Sequence, residues 1–306
     1  MSRSYRYLHY DVFTDHVFGG NQLAVFLDGR GLSDKTMQAI AKEMSFSETT
    51  FVLPTENPDT DARLRIFTPA AELPMAGHPT VGSTFALARA GVIEPGVEEF
   101  IFGLGVGPVP VSLTWRGDDL TFVWMTQSLP TFSDPVLAER GRVAAALGLP
   151  EPAVGGTGLP AQVVSCGVPF LFVPVTTRRA VDSASSNPAA LEALFRAVRI
   201  EADGVFLFSP ERAGDKATVY SRMFAPGLGV TEDPATGGAS GPLGCYLVRH
   251  KIVAPEKAGA MLSLQGVKME RPSHIHISIG ADGGGKIASV RVGGEAVLAG
   301  EGTLYI

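Results

Sequence analysis

The chain repeats itself once. Arg65-x-Phe-x-Pro69 returns as Arg222-x-Phe-x-Pro226, 157 positions later. Glu48-x-x-Phe51 returns as Asp203-x-x-Phe206, and Pro79 returns as Pro234, both at 155. Matches in the same order at nearly the same spacing point to an internal duplication, and a period this long means two similar domains rather than a solenoid. The 306 residues suit two domains of about 150 each.

Glycine, at 36 residues, and proline, at 22, favour short strands joined by turns. In the first half, alternation predicts a strand over 5–14, and apolar or β-branched runs predict strands over 23–27, 49–53 and 61–68. Ser33-Asp34 opens a helix with Met37, Ile40, Ala41 and Met44 at helical spacing. His78 is read as a helix N-cap and Pro79 as its first residue, where a missing N–H costs nothing. The helix that follows, over 80–90, is apolar nearly all round and so is expected to be buried on every side. The second half repeats the order, with strands over 167–175, 205–208 and 216–224 and a helix opened by Asn187-Pro188. A second apolar helix follows over 242–250, with Asp233 as N-cap and Pro234 at the first position. The tail over 289–306 has strand character and no counterpart near residue 150. It is expected to complete the first domain, giving domains 1–125 plus 289–306 and 126–288.

Several function classes are argued against. The net charge is −6, from 25 basic and 31 acidic side chains, with no basic stripe for a nucleic acid or an anionic membrane surface. The most apolar stretch, 163–175, is interrupted by Gly167, Pro169 and Pro174, too short and broken for a spanning helix of about 20 residues. The start of the chain lacks the apolar core of a signal peptide, so a cytoplasmic location is expected. Cys166 and Cys245 form no Cys-x-x-Cys, and His274 and His276 have no third ligand in sequence, so no metal is expected.

Two helix starts at duplicate positions offer free N–H groups and the positive ends of two dipoles, a means of holding a small carboxylate. Gly77, Gly237 and Gly238 would let a ligand approach the backbone closely. Glu48, at a helix–strand junction, reads either as a partly shielded acid–base or as a solvated surface carboxylate. His78 and Asp233 read either as substrate contacts or as simple caps.

These residues resemble a known family. Asp11-Val-Phe-Thr14, Gly20-Asn-Gln-Leu-Ala-Val25, Ser47-Glu-Thr-Thr-Phe-Val52, Glu72-Leu-Pro-Met-Ala-Gly-His-Pro79 and Glu232-Asp-Pro-Ala-Thr-Gly237 look like the signature blocks of PhzF-like (phenazine biosynthesis) proteins. Gln265-Gly266, Arg271-Pro-Ser273 and Val292-Gly-Gly294 look like its closing blocks. The resemblance implies an α+β, diaminopimelate-epimerase-like fold: two pseudo-symmetric domains, each a curved, barrel-like sheet around a central helix, with the active site between them. It implies a homodimer that needs no cofactor or metal. The family's namesake isomerises trans-2,3-dihydro-3-hydroxyanthranilate by moving a proton. By this resemblance Glu48 shuttles the proton, His78 and Asp233 line the substrate, and Gly77, Pro79, Thr80, Gly237 and Gly238 surround its carboxylate. Rival expectations are a lyase or epimerase using the same acid–base site, and a non-catalytic binding protein on the same fold. The family often has Ser where this chain has Gly238, which puts the namesake substrate in question. Related racemases carry a cysteine at each helix start, where Gly77 and Asp233 stand here, which argues against two-thiol chemistry.

Overall fold

The structure is a computed structural model and describes residues 3–136 and 139–306. It divides into two compact units, Met1–Thr126 with Arg291–Ile306, and Gln127–Val290. No helix among the described residues is long and apolar enough to cross a membrane.

In the first unit, Ser4–Val12 runs antiparallel to Asn21–Phe26, which lies parallel to Glu48–Leu53. Ala62–Phe67 follows antiparallel, then Glu99–Leu104 parallel and Gly107–Arg116 antiparallel. The second unit lays down the same run: Gln162–Ser165, Pro169–Pro174, Gly204–Ser209, Val219–Ala225, Met261–Gln265 and Ser273–Ala281 pair in the same order and directions. The C-terminal strand Ala296–Tyr305 pairs with Ser4–Val12 in the first unit.

Each sheet is covered on both faces. In the first unit, helix Asp34–Met44, capped by Ser33, buries Met37, Ile40 and Ala41. They join a cluster with Phe26, Phe51 and Phe67. The other face takes the core helix Gly77–Arg89, which is buried from Gly77 through Leu87. In the second unit the core helix is Gly237–Arg249, buried from Ala239 through Leu247. A helix so apolar all round is stable only when strands enclose it.

Both core helices begin elsewhere than the sequence predicts. The first starts at Gly77, with Ala76 rather than His78 as N-cap and no side-chain capping bond. The His78 ring is turned toward a neighbouring strand, and Pro79 is tolerated at the third position because an N–H there has no helical acceptor. The second starts at Gly237, with Thr236 as N-cap, and already includes Pro242. Asp233 is not its cap, because it still pairs with Met223 in the strand Val230–Asp233, and Pro234 favours an extended residue before it. Pro79 and Pro234 are therefore not equivalent. Nor are Glu48 and Asp203. Arg65 stands opposite Phe51, and Arg222 stands opposite Leu207, so aligning the arginines places Gly204, not Asp203, at the position of Glu48. One residue of shift reverses the face a side chain occupies.

The arginine motif itself is a duplicated staple. Arg65 grips Glu72 through Nε and Nη2 at 2.7 and 2.6 Å, and its guanidinium lies 5.1 Å from the Phe67 ring centre. Arg222 grips Glu232 through the same two nitrogens, both at 2.7 Å, and lies 4.8 Å from Phe224. In each unit the pair ties a central strand to the short segment that leads into the core helix. The i, i+2 spacing of Arg and Phe puts both side chains on one face of that strand.

Candidate active site

Strand register aims Glu48 at the core helix. Glu48 and Thr50 share a face of Glu48–Leu53, and the Thr50 hydroxyl lies 3.0 Å from Ser83 Oγ on the core helix. Two strand residues advance about 6.6 Å and five helical residues about 7.5 Å. That match brings Glu48 level with His78. Glu48 Oε2 lies 3.2 Å from His78 Nε2, with side-chain exposures of 13% and 3%. Asn21 Nδ2 lies 3.1 Å from His78 Nδ1 on the opposite side of the ring. Gly20 makes this approach possible. Its φ is +61°, and a Cβ there would stand 2.3 Å from the Val12 carbonyl oxygen.

Burial decides the charge of His78. It pushes the imidazole pKa down from 6.5 to about 3, against a smaller upward pull from the Gln22 carbonyl. At neutral pH the ring is therefore neutral and carries one N–H. The unfolded chain binds this proton more readily than the folded one, so His78 costs stability as pH falls from about 6.5 toward 3. Half-buried His250 and His276 are also lowered, chiefly by partial burial, and act in the same direction. The Tm of His78→Gln should accordingly fall less steeply with acidification than that of the wild type. Equal slopes would contradict the neutral, buried assignment.

The second unit holds a different constellation. The Thr236 hydroxyl donates to Asp233 Oδ2 at 2.6 Å. Gln265, fully buried, donates from Nε2 to the Asp233 carbonyl at 2.7 Å and to Thr236 Oγ1 at 2.9 Å, and accepts from the Thr236 N–H at 3.1 Å. The carboxylate of Asp233 is thus held by a chain of donors rather than by the helix. Gly266, at φ +75°, lets this amide sit where it does; a Cβ there would lie 2.5 Å from the Pro234 carbonyl oxygen.

The remaining expected residues are placed as follows. Gly77 and His78 in one helix, and Gly237 and Gly238 in the other, are the first two positions, whose N–H groups have no acceptor within the helix. Pro79 has no N–H to offer. The Thr80 hydroxyl donates to the Ala76 carbonyl at 2.8 Å and so serves its own helix turn. Nothing lies within 4 Å of where a Cβ on Gly238 would be. Cys166 and Cys245 are buried in the second unit's core, and Cys245 stands mid-way along that unit's core helix rather than at its start. Asn21 and Gln265 were assigned no role from sequence, although both lie in blocks that carry the family resemblance.

Similarity to known proteins runs along the whole chain. Residues 10–302 match the family model of phenazine biosynthesis-like proteins, PhzC-PhzF. An uncharacterized isomerase of Mesorhizobium japonicum is 38% identical over 98% of each chain. The trans-2,3-dihydro-3-hydroxyanthranilate isomerase of Pseudomonas aeruginosa is 36% identical over 99% of this chain and all of its own length. The crystal structure of a PhzF-family phenazine biosynthesis protein from Bacillus anthracis superposes with a TM-score of 0.87 at 27% identity, covering 99% of this chain and all of that one. With a fold duplicated in this way, a half-buried glutamate against a neutral histidine, and relatives of full length that are isomerases, the chain belongs to the PhzC-PhzF family and is an isomerase.

Proposed function

We propose that this isomerase moves a proton on a small, carboxylate-bearing and possibly cyclic metabolite, without a cofactor, and that Glu48 is its acid–base. The observation that carries the reading is the shielded contact between Glu48 and neutral His78 at the start of a core helix. The Glu48 carboxylate takes a proton from one carbon, the C–H electrons enter the substrate's π system, and the resulting carboxylic acid returns a proton to another carbon. One C–H bond breaks and one forms, so no co-reactant is needed. The free amides of Gly77 and His78, and those of Gly237 and Gly238, are donors for the substrate carboxylate and for charge that develops in the transition state. Asp233, held by Thr236 and Gln265, is the substrate-lining carboxylate of the second unit. The resemblance to the family further supports a cytoplasmic homodimer.

The P. aeruginosa relative defines the first compound to try, trans-2,3-dihydro-3-hydroxyanthranilate. Because the space beside Gly238 is open, Gly238→Ser adds a hydroxyl without displacing a neighbour. One new hydrogen bond of about 1 kcal/mol corresponds to roughly five- to tenfold. Gly238→Ser should raise kcat/KM for that compound by about this factor with little change in Tm. A fall in kcat/KM at unchanged Tm would mean that the glycine is part of the fit to a different substrate. Conversion of no carboxylate in a panel of small cyclic acids, by either protein, would count against the reading itself.

A further inference from the structure

Besides Gln265, a second buried amide grips the start of the core helix Gly237–Arg249. Gln127 ends the strand Asp119–Gln127, where alternation puts Val123, Met125 and Gln127 on the buried face. It is 7% exposed, and its Nε2 donates to the Gly237 carbonyl at 3.0 Å. A carbonyl oxygen only accepts, so the amide nitrogen is the end that must face it. The helix leaves room for this amide: a Cβ on Gly241 would stand 1.9 Å from Gln127 Oε1. We propose that Gln127 is a positioning residue that clamps the Gly237–Gly238 peptide and so aims the Gly238 N–H at the substrate carboxylate.

The peptide unit is planar, so the Gly237 carbonyl and the Gly238 N–H point in opposite directions and turn together. Holding the oxygen fixes the line of the N–H, which in a helix runs toward the N-terminal end. This peptide needs holding more than most. It lies between two glycines, whose backbone angles are the least restricted. Thr236 gives the helix no side-chain capping bond, and Pro242 has no N–H to offer the Gly238 carbonyl. A peptide turned over would present an oxygen where the N–H should be, and the substrate carboxylate would be repelled. Among the described residues nothing donates to Gln127 Oε1. The bond to Gly237 is therefore what an amide gains here over an apolar side chain of the same shape. The clamp's purpose rests on the reading of the Gly237 and Gly238 amides as donors to the substrate, and it adds to that reading the group that keeps one of them aimed.

The test uses the full chain labelled with ¹⁵N-glycine and the variant Gln127→Met, which keeps the length of the side chain and loses its donor. Because the unpartnered oxygen leaves with the donor, Tm should change little. The signal missing from Gly238→Ala, a change with open space around it, identifies the Gly238 amide. Relaxation dispersion should show that amide free of microsecond-to-millisecond exchange in the wild type and exchanging in Gln127→Met. The carboxylate is bound before and during the proton transfer, so the loss should fall on KM. For trans-2,3-dihydro-3-hydroxyanthranilate, KM should rise roughly tenfold with kcat within about threefold, a split that a merely structural role would not produce. A wild-type Gly238 amide already exchanging between two orientations overturns the inference and needs neither variant nor substrate. A Gly238 amide as rigid in Gln127→Met as in the wild type overturns it too, and leaves the reading of the amides untouched. A mobile Gly238 amide with wild-type KM overturns both the role of Gln127 in substrate binding and the reading of that amide as a carboxylate donor.

Discussion

Glu48→Gln should abolish turnover while leaving a folded protein that still binds its ligand. The amide matches the carboxylate in shape and can still lie against His78 Nε2, so the local packing is kept. What it lacks is the ability to take up and release a proton near neutrality. A positioned acid–base contributes about 10²- to 10⁴-fold, and a single group that both removes and returns the proton serves two steps, so a loss of about 10³-fold or more in kcat is expected. The effect on stability should be small, because the side chain is partly solvated and no buried cation depends on it. Steady-state kinetics with calorimetric binding and thermal unfolding separate these outcomes. Loss of activity accompanied by loss of folding would not support the assignment, and kcat within threefold of wild type would refute it.

The largest expected effect on stability lies in the duplicated arginine staple, and the two copies should differ. Arg222 is 8% exposed, its partner Glu232 is 17% exposed, and its Nη1 also donates to the carbonyls of Val181 and Ala184 at 3.0 and 2.7 Å. Arg222→Ala leaves a shielded carboxylate and those carbonyls without their donor, a change that costs about 3–5 kcal/mol. Arg65 binds Glu72 and Asp34, which are 42% and 84% exposed, so water replaces it readily. Arg65→Ala should cost about 1 kcal/mol. Denaturant unfolding of the two variants measures the difference. Equal losses would mean that the staple acts through its stacked phenylalanine alone. Arg222→Lys should recover only part of the loss, since an ammonium cannot form the two-pronged contact.

The staple also shows what was legible in the sequence. Arg-x-Phe marked the duplication correctly because a cation, its carboxylate partner and the ring under it all depend on local spacing. Register was harder. Whether Glu48 corresponds to Asp203 or Gly204 turns on cross-strand pairing, which no single strand's residues reveal. The helix starts were misplaced for a similar reason: Asp233 is a good capping residue in isolation, but pairing with Met223 keeps it in a strand. Glu48, His78 and Asp233 enter as candidates through family blocks, not through propensity. Asn21 and Gln265 lay inside such blocks, but their roles depend on partners 57 and 29 residues away in the chain. Glycines at positive φ beside each of them, Gly20 and Gly266, were the available sign that the backbone there is shaped around a particular side chain.

The central claim is that Glu48 carries the proton. Its most direct test is isomerisation in D₂O of a substrate that the wild-type protein converts, followed by mass spectrometry of product and recovered substrate. Wild-type protein should yield product with deuterium at the newly protonated carbon, because the Glu48 carboxyl group, 13% exposed, can exchange with solvent before it gives the proton back. Glu48→Gln, saturated with the same substrate, should yield neither product nor deuterium in the recovered substrate. Deuterium incorporation by Glu48→Gln at the wild-type rate would contradict the account and assign the proton transfer to another group.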